Sequence, residues 1–169
     1  GGDFWKAVEQ IKAPNSEQIL PLLERAVQFK LEVVQQDPQE KGYRKILNFG
    51  HTVGHALESA LLAAEEPLLH GHAVALGMMA ELWLSNKYAD LNGHDYESSL
   101  ALLKLLYAAY QPTVWPDNER LISIMRNDKK NTAKHINFTL LNAPGRPVYD
   151  RQLQPKAIIE ALDHLKATL

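Results

Sequence analysis

In the stretch RKILNFGHTVGHALE, Arg44 is followed by Asn48, His51, His55 and Glu58, at offsets of 4, 7, 11 and 14 residues. An α-helix advances about 100° per residue, so these positions return to nearly one face. A face turned to water is usually built of Glu and Lys. This one carries a guanidinium, an amide, two imidazoles and a carboxylate. Neutral imidazoles four residues apart can share a metal, commonly zinc, or divide into one ligand and one acid/base group. Thr52 stands where the HExxH helix of a zinc protease has its glutamate, so peptidase chemistry loses support. On the opposite side Ile46, Phe49, Val53, Leu57 and Ala60 form an apolar stripe, and the pattern predicts one helix over residues 44–60. Gly50 and Gly54 weaken such a helix but let another backbone or a ligand come close.

A second histidine group, His70 and His72, opens the run HGHAVALGMMAE. A spacing of two residues keeps both off one helical face, so at most one points with the first group. A capping histidine at a helix start accounts for the pair about as well. Lys30 falls near the middle of a stripe formed by Leu23, Ala26, Val27 and Val34. An ammonium buried there would need an anion beside it, whereas a lysine that snorkels past the helix edge would not. RNDKKNTAKH, from Arg126 to His135, is basic but has no aromatic residue for base stacking. It suits a loop that reaches one phosphate or carboxylate, and equally a plain solvated loop. Together these features describe a small anionic substrate held by Lys and Arg beside a His-bound metal.

The elements that must position these residues are mainly helical. Short helices are expected over residues 3–12 and within 116–128, and longer ones from the Asn15/Ser16 cap signal to Pro38 and after Pro67. The helix after Pro67 is apolar on nearly all sides until Glu81, which predicts a buried central helix. A further helix is expected near 96–110, and the last begins at Pro155. HINFTLL alternates like a strand, NAPGRP reads as a turn, and VYD can pair back as a hairpin. The chain has 169 residues, enough for one domain with a real core, and no internal boundary is visible. A formal net charge of -2 suggests no nucleic-acid or membrane partner. The absence of cysteine restricts any metal site to His, Asp and Glu. No apolar run is long enough to span a bilayer and no signal peptide is visible, so a cytoplasmic protein is expected. The chain opens at GGDF without Met, which reads as a piece of a longer protein.

KLEVVQQDPQEKGYRKILNFGHTVGHALESA, then LLHGHAVALGM, then NDKKN before INFTLL, closely resemble the C-terminal half of the 3-dehydroquinate synthase family. The resemblance covers nearly the whole chain. It implies a mainly α fold with one small β-hairpin, in which residues 1–169 form a single helical metal- and substrate-binding domain. The NAD-binding α/β domain of the family would precede it. The implied enzyme is a carbon–oxygen (phosphate) lyase of the shikimate pathway, which converts 3-deoxy-D-arabino-heptulosonate 7-phosphate to 3-dehydroquinate and phosphate. It uses NAD and a divalent metal, zinc first and cobalt as the alternative.

Carried over by position, the resemblance makes His51 and His70 metal ligands and His55 the group that moves a proton near the departing phosphate. It makes Asn48, Arg44 and Lys30 substrate-binding groups, with one of Lys129 and Lys130 as a further one. The third metal ligand, a glutamate, would lie before Gly1, and no cofactor-binding residue is assigned in this chain. The family usually has Glu where this chain has His72, which leaves the role of His72 open. The implied mechanism is transient oxidation of the C5 hydroxyl by NAD, loss of phosphate, reduction of the ketone, ring opening and aldol closure. A homodimer is expected of the complete enzyme, and weak metal binding without turnover of this chain alone. The alternatives are a related sugar-phosphate cyclase or a non-catalytic metal-binding helical module.

Overall fold

A computed structural model of the chain describes residues 2–11, 15–107, 112–127 and 135–169. Its helices are α1 (Gly2–Glu9), α2 (Ser16–Gln36), α3 (His51–Leu62), α4 (His70–Tyr88), α5 (Gly93–Tyr107), α6 (Asn118–Asn127) and α7 (Pro155–Thr168), with a 3₁₀ segment over Tyr43–Asn48. Strands β1 (Ile136–Ala143) and β2 (Arg146–Leu153) form one antiparallel hairpin. The mainly α fold with a small hairpin matches the sequence reading. No described helix is long and apolar enough to cross a membrane.

α4 is the axis of the core. Ala73, Ala75, Leu76, Met79, Ala80, Leu82 and Leu84 are buried around its circumference, against α3, α5, α7 and β1. From α7 come Ile158, Ala161, Leu162 and Leu165, and from α6 Leu121, Ile122 and Met125. In β1 the inward residues Ile136, Phe138 and Leu140 follow the two-residue period of a strand laid on a core. The turn is tighter than the six residues expected: β1 runs to Ala143 and β2 starts at Arg146, with Gly145 at φ 75°. Glycine reaches that left-handed conformation without penalty, and this is what lets the strands close so soon.

Two sequence expectations fail here. The helix predicted over 44–60 is broken: a 3₁₀ segment ends at Asn48, and α3 starts only at His51, after Gly50 turns the chain at φ 82°. The cause is the crossing with α4. A Cβ on Gly50 would overlap Met78, one on Gly54 would lie 2.9 Å from the Ala73 carbonyl, and one on Gly77 would overlap the Gly50 carbonyl and lie 2.6 Å from the Gly54 amide. The two backbones meet at a distance that no side chain permits. The second failure is α2, whose expected apolar stripe stands in water: Leu23 is 54% exposed and Val27 50%. Asn15 caps that helix by accepting from the Gln18 amide at 2.9 Å, and among its described residues only Val33 is fully buried.

The far side of the core contains a polar tie. The Tyr96 hydroxyl in α5 lies 2.9 Å from His164 Nε2 in α7, and the imidazole stacks on Trp83 of α4 with centroids 5.7 Å apart. Burial pushes the His164 pKa down; Glu97 opposes this, and Lys104 and Lys87 reinforce it.

Two predictions follow from this packing. Gly77→Ala should destabilise the protein by about 3 kcal/mol or more, because only backbone lies in the way of the new methyl, and urea denaturation would measure it. Because folding lowers the His164 pKa, the neutral ring is favoured in the native state, and its contribution is complete above about pH 6.5 and lost on acidification. Between pH 7 and pH 5 the melting temperature of the native sequence should therefore fall more steeply than that of His164→Gln.

Candidate metal centre

The start of α3 is fixed by a carboxylate from the middle of α4. Glu81 has no exposed surface, yet its Oε2 accepts from the Gly50 amide at 2.6 Å and its Oε1 from the amides of Thr52 and Val53 at 3.1 and 3.2 Å. Gly50 has no side chain to cap the helix, so Glu81 supplies the oxygens that an N-terminal Ser or Asp would otherwise bring. The helix dipole and the three amides stabilise the charge. Sequence reasoning treated Glu81 as the end of the buried stretch and missed this role. The available signal was a lone carboxylate inside LGMMAELWL, a costly residue unless hydrogen bonds meet it.

His51 and His55 project from the first turns of α3, and His70 from the first residue of α4. One ring nitrogen from each lies within 4.8 Å of the other two, and the ring centroids are 5.3 to 5.7 Å apart. His51 Nδ1 is 3.1 Å from the Phe49 carbonyl and His70 Nδ1 is 3.0 Å from Glu58 Oε2. A carbonyl can only accept, so His51 Nδ1 carries the proton of that bond. A carboxylate selects the same tautomer in His70. Imidazole ligands in metalloproteins are commonly oriented in this way, by an oxygen on the ring nitrogen away from the metal. The donor set therefore fits a divalent metal that accepts nitrogen ligands. The second histidine of the HGH sequence takes no part in this cluster: His72 packs edge-on against Tyr107, centroids 5.8 Å apart.

The remaining candidates are not on the same ridge. Because the chain breaks at Gly50, Arg44 and Asn48 belong to the 3₁₀ segment and turn toward the loop before it. Arg44 Nη1 donates to the Pro38 carbonyl at 3.1 Å, and Asn48 Nδ2 donates to Glu40 Oε1 at 2.8 Å. That loop is ordered by Asp37, which accepts from the amides of Gly42, Arg44 and Lys41 at 2.8, 3.0 and 3.0 Å. The Gly42 amide, with those of Arg44 and Lys41 behind it, holds the Asp37 carboxyl below the usual carboxylate range. Lys30 is exposed on α2, so the argument from a buried ammonium does not hold for it in this chain. Lys129 and Lys130 lie outside the described residues.

The hairpin locks the arrangement. Thr52 Oγ1 donates to the Asn137 carbonyl at 3.2 Å and Thr139 Oγ1 to the Lys45 carbonyl at 2.8 Å. Lys45 pairs with Asp150 at 2.7 Å. Cavities flank the cluster on two sides. His51 and His70 border an apolar one of about 500 Å³ with Val74, Met78 and Leu103. His55 borders one of about 320 Å³ with Thr52, Ser59 and Asn127.

Three imidazoles converge across two crossed helices of a mainly helical chain, in a group that could hold a metal ion. The family profile described as 3-dehydroquinate synthase C-terminal matches residues 1–131. The chain belongs to that family. It is 41% identical to a 3-dehydroquinate synthase of Parabacteroides distasonis over 84% of this chain and 40% of that protein. It is 36% identical to one of Leptospira interrogans over 98% of this chain and 46% of that protein. The chain thus spans less than half the length of these relatives. Its fold is similar to a 2-epi-5-epi-valiolone synthase of Streptomyces hygroscopicus solved with NAD⁺ and Zn²⁺, with a TM-score of 0.77 at 24% identity over 98% of this chain and 47% of that one. It is also similar to a 2-deoxy-scyllo-inosose synthase solved with carbaglucose-6-phosphate, NAD⁺ and Co²⁺, with a TM-score of 0.75 at 20% identity over 97% and 51%.

Glu81→Gln keeps the shape but offers one acceptor oxygen where two are in use, and turns an NH₂ toward backbone donors. A loss of about 2–4 kcal/mol is expected, measured by urea denaturation.

Proposed function

We propose that this chain is the metal- and substrate-binding domain, residues 1–169, of a 3-dehydroquinate synthase whose NAD-binding α/β domain lies in the remainder of the protein. The reaction is conversion of 3-deoxy-D-arabino-heptulosonate 7-phosphate to 3-dehydroquinate and phosphate, a carbon–oxygen lyase step in the shikimate pathway. The observation that carries the reading is the meeting of His51, His55 and His70 in a chain of this family. His51 and His70 hold the divalent metal, zinc in preference to cobalt, together with a carboxylate from outside the chain. His55, at the rim of the smaller cavity, moves the proton to or from the departing phosphate. When bound, the metal supplies Lewis acidity and NAD carries the hydride.

Arg44, Asn48, Lys30 and one of Lys129 and Lys130 bind the substrate's anionic groups. Asn48 already holds a carboxylate, that of Glu40, with Arg44 Nε 3.9 Å from the same group. Glu40 therefore occupies these donors as a substrate anion would, and yields them when substrate binds. The complete protein is a cytoplasmic homodimer without nucleic-acid or membrane partners, and this chain alone has no turnover.

A related sugar-phosphate cyclase acting on another substrate is the second reading. The likeness to such enzymes is one of fold, whereas the relatives at 36–41% identity favour the synthase. The test is a product assay on the complete protein. Formation of 3-dehydroquinate with release of phosphate is expected, and a different cyclic product would establish the second reading instead. In that protein His55→Ala should lower kcat by about 10²–10⁴-fold with the metal retained. His51→Ala or His70→Ala should remove the metal.

A further inference from the structure

We propose that Asp37 is a positioning residue for anion binding: its carboxylate fixes the angle between α2, which carries Lys30, and the 3₁₀ segment, which carries Arg44 and Asn48. This rests on the assignment of those three side chains to the substrate, and adds a residue that touches no substrate itself.

Asp37 works in both directions along the chain. Its own amide donates to the Val33 carbonyl at 3.1 Å and closes the last turn of α2. Its carboxylate reaches forward: Oδ1 accepts from the Lys41 amide at 3.0 Å, and Oδ2 from those of Gly42 and Arg44 at 2.8 and 3.0 Å. Bonds of this kind give a loop the fixed shape that a helix takes from its own backbone ladder. Between the two elements the chain passes through Glu40 at φ 54°, a left-handed conformation that a residue with a Cβ enters only at a cost. The Glu40 amide donates to the Asp37 carbonyl at 3.2 Å, so Asp37 grips the chain at the strained residue and directly after it. Without the carboxylate, the amides of Lys41, Gly42 and Arg44 turn to water and Glu40 relaxes, which carries Arg44 and Lys30 out of register.

The two acids of this loop therefore differ in role. Glu40, 41% exposed in its side chain, meets the side chains of Asn48 and Arg44, and an incoming anion can replace it there. Asp37 is bound to backbone and stays. Beyond it the 3₁₀ segment is pinned to the hairpin, through the Lys45 carbonyl that accepts from Thr139 and through the Lys45–Asp150 pair. Lys30 lies about two turns before Asp37 on the largely exposed α2. Cations on two separate elements act on one anion together only when the joint between them is set in advance, and Asp37 is that joint.

The test is steady-state kinetics of the complete protein with 3-deoxy-D-arabino-heptulosonate 7-phosphate. Asp37→Ala should raise KM about 10–100-fold and change kcat less than about threefold, the pattern of lost substrate binding. Asp37→Asn keeps the shape and one acceptor oxygen, so its KM should fall between those of the native sequence and Asp37→Ala. It also carries the test if the alanine variant does not fold. Asp37→Ala combined with Arg44→Met should raise KM by less than the product of the two single effects, because a residue that acts through another adds little once that other is gone. A role in stability alone would lower the melting temperature and leave the KM of the folded enzyme where it was. Unchanged KM in the Asp37 variants, or a double variant equal to the product, would overturn the proposal and leave the synthase reading standing. Unchanged KM in Arg44→Met would remove the substrate assignment on which the proposal rests.

Discussion

The buried carboxylate of Glu81 is the contact on which the rest of the site depends. Three amides at the start of α3 converge on it, and the crossing through Gly50, Gly54 and Gly77 brings them within its reach. Either feature alone would be unstable. A bare carboxylate inside α4 would be too costly to bury, and a helix starting at a left-handed glycine would leave its first amides without partners. Together they set the angle and depth at which α3 meets α4. The histidines inherit that geometry, since His51 and His55 ride on one helix and His70 on the other. The three imidazoles therefore sit on two elements joined by backbone contact.

A second layer of oxygens orients two of the rings. Phe49 contributes a carbonyl made available by the break in the chain before α3, so the break that spoils a continuous helix also orients His51. Glu58 lies two turns further along α3 and reaches across to His70, tying the two helices beside the imidazoles as Glu81 ties them in the core. The hairpin adds a third tie through Thr52 and Thr139. Polar ties thus flank a cluster that also borders an apolar cavity, while His70 remains open to solvent.

Much of this was legible in the sequence. The period of Val53, Leu57 and Ala60 gave the buried face of α3, and the four-residue spacing of His51 and His55 gave a shared polar face. The near-continuous apolar run after His70 gave the central helix. The helical continuation back to Arg44 was not legible, because the periodicity of 44–60 is the same whether or not Gly50 turns left-handed. That turn is imposed by Met78 and Val74 on another helix. The joining of His70 to the first pair was open for a similar reason: spacing along one helix does not fix how two helices cross. For α2 the apolar stripe was read correctly as a pattern and wrongly as a buried one. Periodicity says which residues share a face and not whether anything covers it.

α2 is 21 residues long, about 31 Å, and is held to the body mainly near its end, where Val33 is buried and Asp37 gathers the following amides. The opening free energy of its backbone is therefore small beside that of α3 and α4, which share the core and the Glu81 cap. Among the described residues the helix carrying Lys30 is mostly exposed, whereas the block carrying the histidines shares the buried core. Affinity for an anion that needs both would include the free energy of quieting that helix.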